Sequence, residues 1–457
     1  MEVISFSYAV PLVVLVATVV FLVVKRADRP FNGRRPPGPA ALPIIGHLHL
    51  LDPKVHQSFD KLCEKYGPVI SLRFGSTHAV FVSTVEAAAE FFKNHDLVFG
   101  NRPQSRASRR FAYDSAGFAF APYGAYWRFV KKLAITELLS ARTVEQLLPL
   151  RRQELRKVKV DVSHELIKMT NNTVARMATG RTCAPAEGES GDPEESMKLV
   201  KQVAELIGSF NLSDHVWLPR GWDLQGCNRR IEDVLHRYDT MMERIIKQKE
   251  ATRGARRGGG ATLDLLDILL DLSENKGANI KLTRENIKGI ILDILVAGSD
   301  SSAVTLEWAL TELINHPEML QKAREEVDRV VGRDRLVEEA DISGLPNVQA
   351  VIRETLRLHP AAAFVSRESR KDTTIYGYNI PAGTSLFPVG RPAGVPPGEV
   401  LLQADNGQEL KQEQLRSLPF GGGRRICPGA GLAQQVVHTA LTALLQCFDW
   451  QPYGILG

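Results

Sequence analysis

The sequence predicts a mainly α-helical fold with a small β region, preceded by one N-terminal transmembrane helix. Three observations carry this expectation: an uncharged apolar run from Val3 to Val24, strand-like alternation confined to residues 66–84, and helical patterning over most of the remaining chain, above all from Thr283 to His316.

The apolar run comes first. As a helix rising 1.5 Å per residue it reaches about 30 Å, the thickness of a hydrocarbon layer. It is longer than the apolar stretch of a signal peptide, is preceded only by the charge of Glu2, and has no small-residue cleavage site after it, so an anchor is the expected reading. Lys25, Arg26, Arg29, Arg34 and Arg35 all lie on its carboxyl side, which leaves the rest of the chain in the cytosol. The expected organisation is an anchor over 1–24, a Pro-rich hinge over 25–47 and one domain over 48–457. Prolines 36, 37, 39 and 43 stiffen the hinge.

Composition narrows the function classes. Of 457 residues, 44% are hydrophobic and 24% charged, enough apolar material for a packed core and too much for bulk disorder. Net charge is only +5, from 57 basic and 52 acidic residues, so a dedicated nucleic-acid binder is not expected. Cysteines 63, 183, 227, 427 and 447 are scattered and odd in number, which suits a reducing compartment better than a disulfide scaffold.

Within the domain, YGPVISLRFGSTHAVFVST (66–84) reads as strands and EAAAEFFKN (86–94) as a helix. Segments 182–196 and 251–262 read as surface loops from their Gly, Pro and charge content. The long helix is capped by Thr283 and stopped by Pro317. Inside it, Ala297, Gly298, Ser299, Asp300, Ser301 and Ser302 interrupt large apolar residues. These types compete for backbone hydrogen bonds, so a locally loosened helix is expected there, with two uses open: space for a ligand, or a close helix crossing.

Two further constellations stand out. Glu354 and Arg357, three apart in NVQAVIRETLRLHP, share a helix face between apolar neighbours; such a pair is usually a weak surface contact, and its setting here suggests partial burial. In LPFGGGRRICPGAGLAQQVV (418–437), three glycines permit tight turns and Cys427 precedes a helix start, where Arg424 and Arg425 would favour a thiolate, a good iron ligand. The pattern F-x-x-G-x-R-x-C-x-G is filled by Phe420, Gly423, Arg425, Cys427 and Gly429. There is no HExxH (Lys168 stands where the second histidine would be), no GxSxG, no phosphate loop and no GxGxxG after a strand.

In order and content, these segments resemble the cytochrome P450 superfamily of haem-thiolate monooxygenases, of the membrane-anchored plant kind. The resemblance implies haem b (iron protoporphyrin IX) bound through Cys427 as proximal iron ligand, O2 as oxidant, and electrons from NADPH through a partner, NADPH-cytochrome P450 reductase. It implies that Asp300 and Ser301 deliver protons and that Glu354 and Arg357 form a structural pair. Trp127, Arg128 and Lys131 of YWRFVKK match a helix whose cations meet the haem propionates, with Arg425 and Arg367 as further candidates. Residues 114–149 and 210–231 resemble the flavone synthase II and flavanone 2-hydroxylase group, which implies a flavonoid substrate oxidised at C2. Ala297, Ala361, Ala362, Phe364 and Val365 are the implied pocket wall, with Phe118 beside them. The implied location is the endoplasmic reticulum membrane, single-pass, with the catalytic domain cytosolic.

The sequence departs from this pattern at two places. Position 301 holds serine where threonine is usual. Between Pro388 and Asp405 no counterpart of the family's PERF segment appears, and seven of the eleven residues from Pro388 to Gly398 are proline or glycine. The third partner of the Glu354–Arg357 pair is therefore expected to be missing, with Arg391 or Arg416 as possible substitutes, and the strands that come after the last long helix are expected to be absent after Gly457. A second reading thus stays open, a non-catalytic anchored product of an altered transcript, and a third, a related monooxygenase acting on another phenolic or a terpenoid.

Overall fold

The computed structural model describes residues 18, 33–52, 55–149, 151, 162–181, 195–216, 222–256, 263–275, 280–362, 366–388 and 419–450. The expected anchor except Thr18, the 182–196 loop except its last two residues, and the segment without a PERF counterpart beyond Pro388 lie outside them. The chain divides into two compact units.

The first unit draws on residues 1–103, 210–225 and 364–391. Among its described residues it holds helices α1 (Val55–Tyr66) and α2 (Val85–Asn94), a single helical turn at Leu212–His215 and six short strands. Strands β1 (Val69–Phe74) and β2 (Thr77–Val82) form the expected hairpin, Val69 opposite Val82. Strands β3 (Arg367–Glu368), β4 (Thr373–Ile375), β5 (Tyr378–Ile380) and β6 (Ser385–Pro388) come late in the chain. β6 joins β2 in parallel and β3 in antiparallel fashion, giving the order β1-β2-β6-β3, while β4 and β5 pair separately. Residues 33–47 of the expected hinge run along this sheet: the amide of Ser71 donates to the carbonyl of Pro37 at 2.9 Å, and buried His47 accepts the amide of Arg73 at 2.8 Å.

The second unit, residues 104–209, 226–363 and 392–457, is helical among its described residues. Its helices are α3 (Arg106–Phe111), α4 (Ala125–Leu133), α5 (Ala141–Gln146), α6 (Val162–Thr179), α7 (Glu195–Gly208), α8 (Cys227–Arg256), α9 (Leu265–Glu274), α10 (Arg284–Asn315), α11 (Pro317–Val330), α12 (Pro346–Leu358) and α13 (Ala430–Cys447). The 251–262 segment is not a loop throughout, because α8 continues to Arg256; Thr252 there turns its hydroxyl back to the carbonyls of Gln248 and Lys249.

Helix α10 organises this unit. Thr283 caps it by accepting the amide of Asn286, and Pro317 opens α11, where its missing N–H is no loss. Its first half sends Ile287, Ile290, Ile291 and Leu295 into one core with α3, α4, α7 and α8. Its second half sends Ala303, Leu306, Leu310 and Leu313 into another with α11, α12 and α13. By length and apolarity α10 could cross a bilayer, but most of it is buried between these cores, so it is a core helix.

The Ala297–Ser302 patch lies where the two cores meet. The expected loosening does not occur: α10 is continuous, because Ser299 and Ser301 return their hydroxyls to the carbonyls of Leu295 and Ala297, both at 2.7 Å, instead of prying the turn open. Gly298 serves a close crossing, since a Cβ there would stand 3.0 Å from the Val174 side chain on α6. Ala297, one residue earlier, is exposed.

Candidate active site

The cysteine loop is built by its glycines. Gly421 and Gly423 have φ of 71° and 63°, a region that costs other residues energy, and the tight course they allow lets the amide of Cys427 donate to the carbonyl of Phe420 at 2.9 Å. Three residues beyond Cys427, α13 begins at Ala430. The sulfur thus sits on a closed loop leading into a helix start, half-buried.

Arg425, from the same loop, is buried. Its guanidinium lies 4.4 Å from the centre of the Trp127 ring on α4, donates to the carbonyls of Phe118 and Ala119 at 3.3 Å each, and bonds that of Ala121. The indole of Trp127 donates to the same Phe118 carbonyl at 3.1 Å. Lys131, which the family resemblance assigns to a propionate, gives its ammonium to the carbonyls of Arg424 and Ile426 at 2.7 and 2.8 Å, so α4 grips the cysteine loop directly. Arg128 is exposed, with its guanidinium 5.7 Å from the Tyr123 ring centre.

Glu354 and Arg357 pair side by side on α12, Nε to Oε2 at 2.8 Å and Nη2 to Oε1 at 2.6 Å, each side chain 14% exposed. The end of α12 is tied to α10 through His359, whose ring nitrogen lies 2.7 Å from a Glu312 carboxylate oxygen. On α10, burial raises the Asp300 carboxyl above its ordinary value; Lys201 opposes this and Glu205 adds to it. Ser301 lies one turn beyond Ala297 on the same face. Ala361 and Ala362 are exposed, whereas Phe364 and Val365 lie outside the described residues.

In the first unit, Arg367 on β3 is fully buried. Burial and the nearby charge of Arg102 push its guanidinium down to about 9, against the pull of Asp96.

These residues fit a haem. A thiol on a loop closed by glycines is a soft ligand for iron, and the buried guanidinium of Arg425 on that same loop is of a kind that suits a porphyrin carboxylate. The profile of the family described as "Cytochrome P450" matches residues 36–390 and 403–454 of this chain.

The chain belongs to the cytochrome P450 family.

Among curated proteins it is similar to a 3,9-dihydroxypterocarpan 6A-monooxygenase of Glycine max, 45% identical over 98% of this chain and 93% of the relative. It is also similar to Cytochrome P450 93G1 of Oryza sativa subsp. japonica (46%, covering 92% and 86%) and to a 2-hydroxyisoflavanone synthase of Glycyrrhiza uralensis (40%, covering 92% and 85%). A zebra fish cytochrome P450 solved with progesterone shares the fold: TM-score 0.68 over 86% of this chain and 92% of that one, at 21% identity. As a cytochrome P450 the chain is a monooxygenase, an oxidoreductase that incorporates oxygen from O2 into a small molecule. Cytochromes P450 use haem b, reduced by electrons that a reductase draws from NADPH. The unmatched stretch 391–402 falls inside the segment that lacks a PERF counterpart.

The sequence patterns did not single out Asp293. Its carboxylate oxygen accepts the amides of Phe118 and Ala119 at 2.7 and 2.9 Å, joining α10 to the loop that Arg425 and Trp127 hold from the other side. The available signal was one acidic residue in an apolar stretch of helix, four positions before Ala297.

Proposed function

We propose that this cytochrome P450 oxidises a flavanone-type flavonoid at C2, giving a 2-hydroxyflavanone or, by loss of a second hydrogen, a flavone. The observation that carries this reading is the exposed Ala297 between two packed cores on α10, beside the hydroxyl of Ser301: a small-residue shelf suited to a flat ring system. The relatives named for a pterocarpan and for a 2-hydroxyisoflavanone, both fused-ring phenolics, support the substrate class.

When bound, haem b supplies the reductive activation of dioxygen. Hydroxylation consumes flavanone, O2, NADPH and a proton and yields 2-hydroxyflavanone, NADP⁺ and one water; desaturation yields flavone, NADP⁺ and two waters. In this reading Cys427 holds the iron. Phe420 and Gly423 shape its loop, Arg425 and Arg367 meet the propionates, and Trp127, Arg128 and Lys131 brace that side. The half-buried Asp300 carries protons inward and the Ser301 hydroxyl passes them on. Glu354 and Arg357 fix α12. Ala297, Ala361, Ala362 and Phe118 line the pocket with Phe364 and Val365. Residues 1–24 anchor the protein in the endoplasmic reticulum membrane, 25–47 lead to the domain and 48–457 form it on the cytosolic side.

The test is microsomes containing the full chain and a P450 reductase, supplied with NADPH and a flavanone. Formation of 2-hydroxyflavanone or flavone supports the reading. Unchanged flavanone alongside turnover of a pterocarpan or a triterpene overturns the substrate, and absence of a thiolate band in the carbon monoxide difference spectrum overturns the catalytic assignment.

A further inference from the structure

The loop between α3 and α4 is held unusually tightly to α10. It opens with three consecutive non-glycine residues in the left-handed region, Tyr113, Asp114 and Ser115, at φ of 48°, 53° and 79°. Such conformations persist only where the surroundings enforce them. Asn286, in the first turn of α10, donates to the Tyr126 hydroxyl at 2.8 Å and the Ala116 carbonyl at 3.3 Å. One turn further, a Cβ on Gly289 would stand 2.9 Å from the Gly117 amide nitrogen, and a Cβ on Gly117 would overlap the carboxylate of Asp293. Asp293 then takes both the Phe118 and Ala119 amides on one oxygen. The opposite edge of the same strip is equally engaged: Trp127 and Arg425 bond the carbonyls of 118, 119 and 121, and Gln104 donates to that of Phe120 at 2.7 Å.

Asp293, Ala297 and Ser301 recur every four residues and so share one stripe of α10. The loop carrying Phe118 is therefore bonded to the helix one turn before the small-residue shelf. We propose that Asp293 is a positioning residue that sets the height of the Phe118–Ala121 strip over the Ala297–Ser301 shelf and thereby limits the size of molecule accepted there. This rests on the shelf being the substrate-facing wall, and neither Asp293 nor Gly117 takes part in the chemistry.

The experiment uses the full chain in microsomes, with Asp293→Ala, Asp293→Asn and Gly117→Ala. Soret shifts on titration with imidazole and with 1-phenylimidazole read the pocket without any assumption about the natural substrate. Asp293→Ala is expected to weaken 1-phenylimidazole about tenfold while imidazole changes less than about twofold, and Asp293→Asn, which keeps an acceptor oxygen, to recover most of the difference. Amide hydrogen exchange over residues 118–119 should rise at least about tenfold in Asp293→Ala, a readout that needs neither haem nor substrate. Gly117→Ala, which pushes the carboxylate off the amides from the other side, should show the same selective loss even if Asp293→Ala fails to take up haem. Equal weakening of both ligands, or unchanged exchange at 118–119, overturns the proposal; flavanone left unoxidised with these shifts intact overturns only the substrate.

Discussion

The guanidinium of Arg425 stands 4.4 Å from the centre of the Trp127 ring, so the cysteine loop and α4 meet through a cation on an aromatic face. The indole N–H and the guanidinium converge on one carbonyl, that of Phe118. Trp127→Leu removes the aromatic face and the donor together. The expected cost is about 1–3 kcal/mol, seen as a lower unfolding temperature of the haem-loaded protein, and Trp127→Phe should recover the aromatic part only. Equal losses in both variants would refute the cation–π contribution.

Replacing Cys427 by serine exchanges a soft thiolate for a hydroxyl at the end of a loop whose backbone bond to Phe420 is independent of the side chain. The fold should survive and the thiolate band in the carbon monoxide difference spectrum should vanish, with product formation lost. An unchanged spectrum would remove Cys427 from the iron.

Arg357 engages Glu354 through two parallel bonds, a fit that a lysine cannot reproduce. Glu354→Ala leaves the guanidinium without its carboxylate at a site only 14% exposed, and should cost about 3 kcal/mol in thermal unfolding and lower haem content. Arg357→Lys should fall between that and the native protein. Both at native stability would make the pair an ordinary surface contact.

The parts of the molecule on which these outcomes depend were unequally legible. The ends of α10 were readable because Thr283 and Pro317 act locally, through a side-chain cap and a missing donor. The cysteine loop was readable because its spacing is dense and ordered. The continuity of α10 through Ser299 and Ser301 was not, since whether a hydroxyl disrupts or accommodates a helix depends on the rotamer it takes. Arg256 closes α8 although its neighbours are rich in glycine and arginine, a composition that reads as loop. Lys131 and Asp293 illustrate the deepest limit: their partners are backbone groups on distant segments, Ile426 for one and Phe118 for the other, and a backbone group has no signature in a side-chain alphabet.

The pH dependence of stability should carry the mark of Asp264. This residue caps α9 and, with Asp267, faces a single buried ammonium: Lys249 bonds Asp264 and lies 3.0 Å from Asp267. Burial outweighs the attraction of Lys249 and raises the Asp264 carboxyl from 3.8 to about 6, because one cation serves two carboxylates away from water. A carboxyl with a raised folded value takes up its proton more readily in the native state. Its contribution is therefore fully present below about 4 and is lost as pH rises through about 6. Asp264→Asn keeps a side-chain acceptor for the helix cap and removes this titration, leaving Lys249 to Asp267. Relative to the native protein, the variant should gain stability progressively between pH 4 and pH 7, whatever its offset at the acid end. Unfolding temperatures of the two proteins across that range decide the matter: a difference that stays constant with pH would show that Asp264 ionises at its ordinary value, and one that shrinks towards pH 7 would reverse the sign argued here.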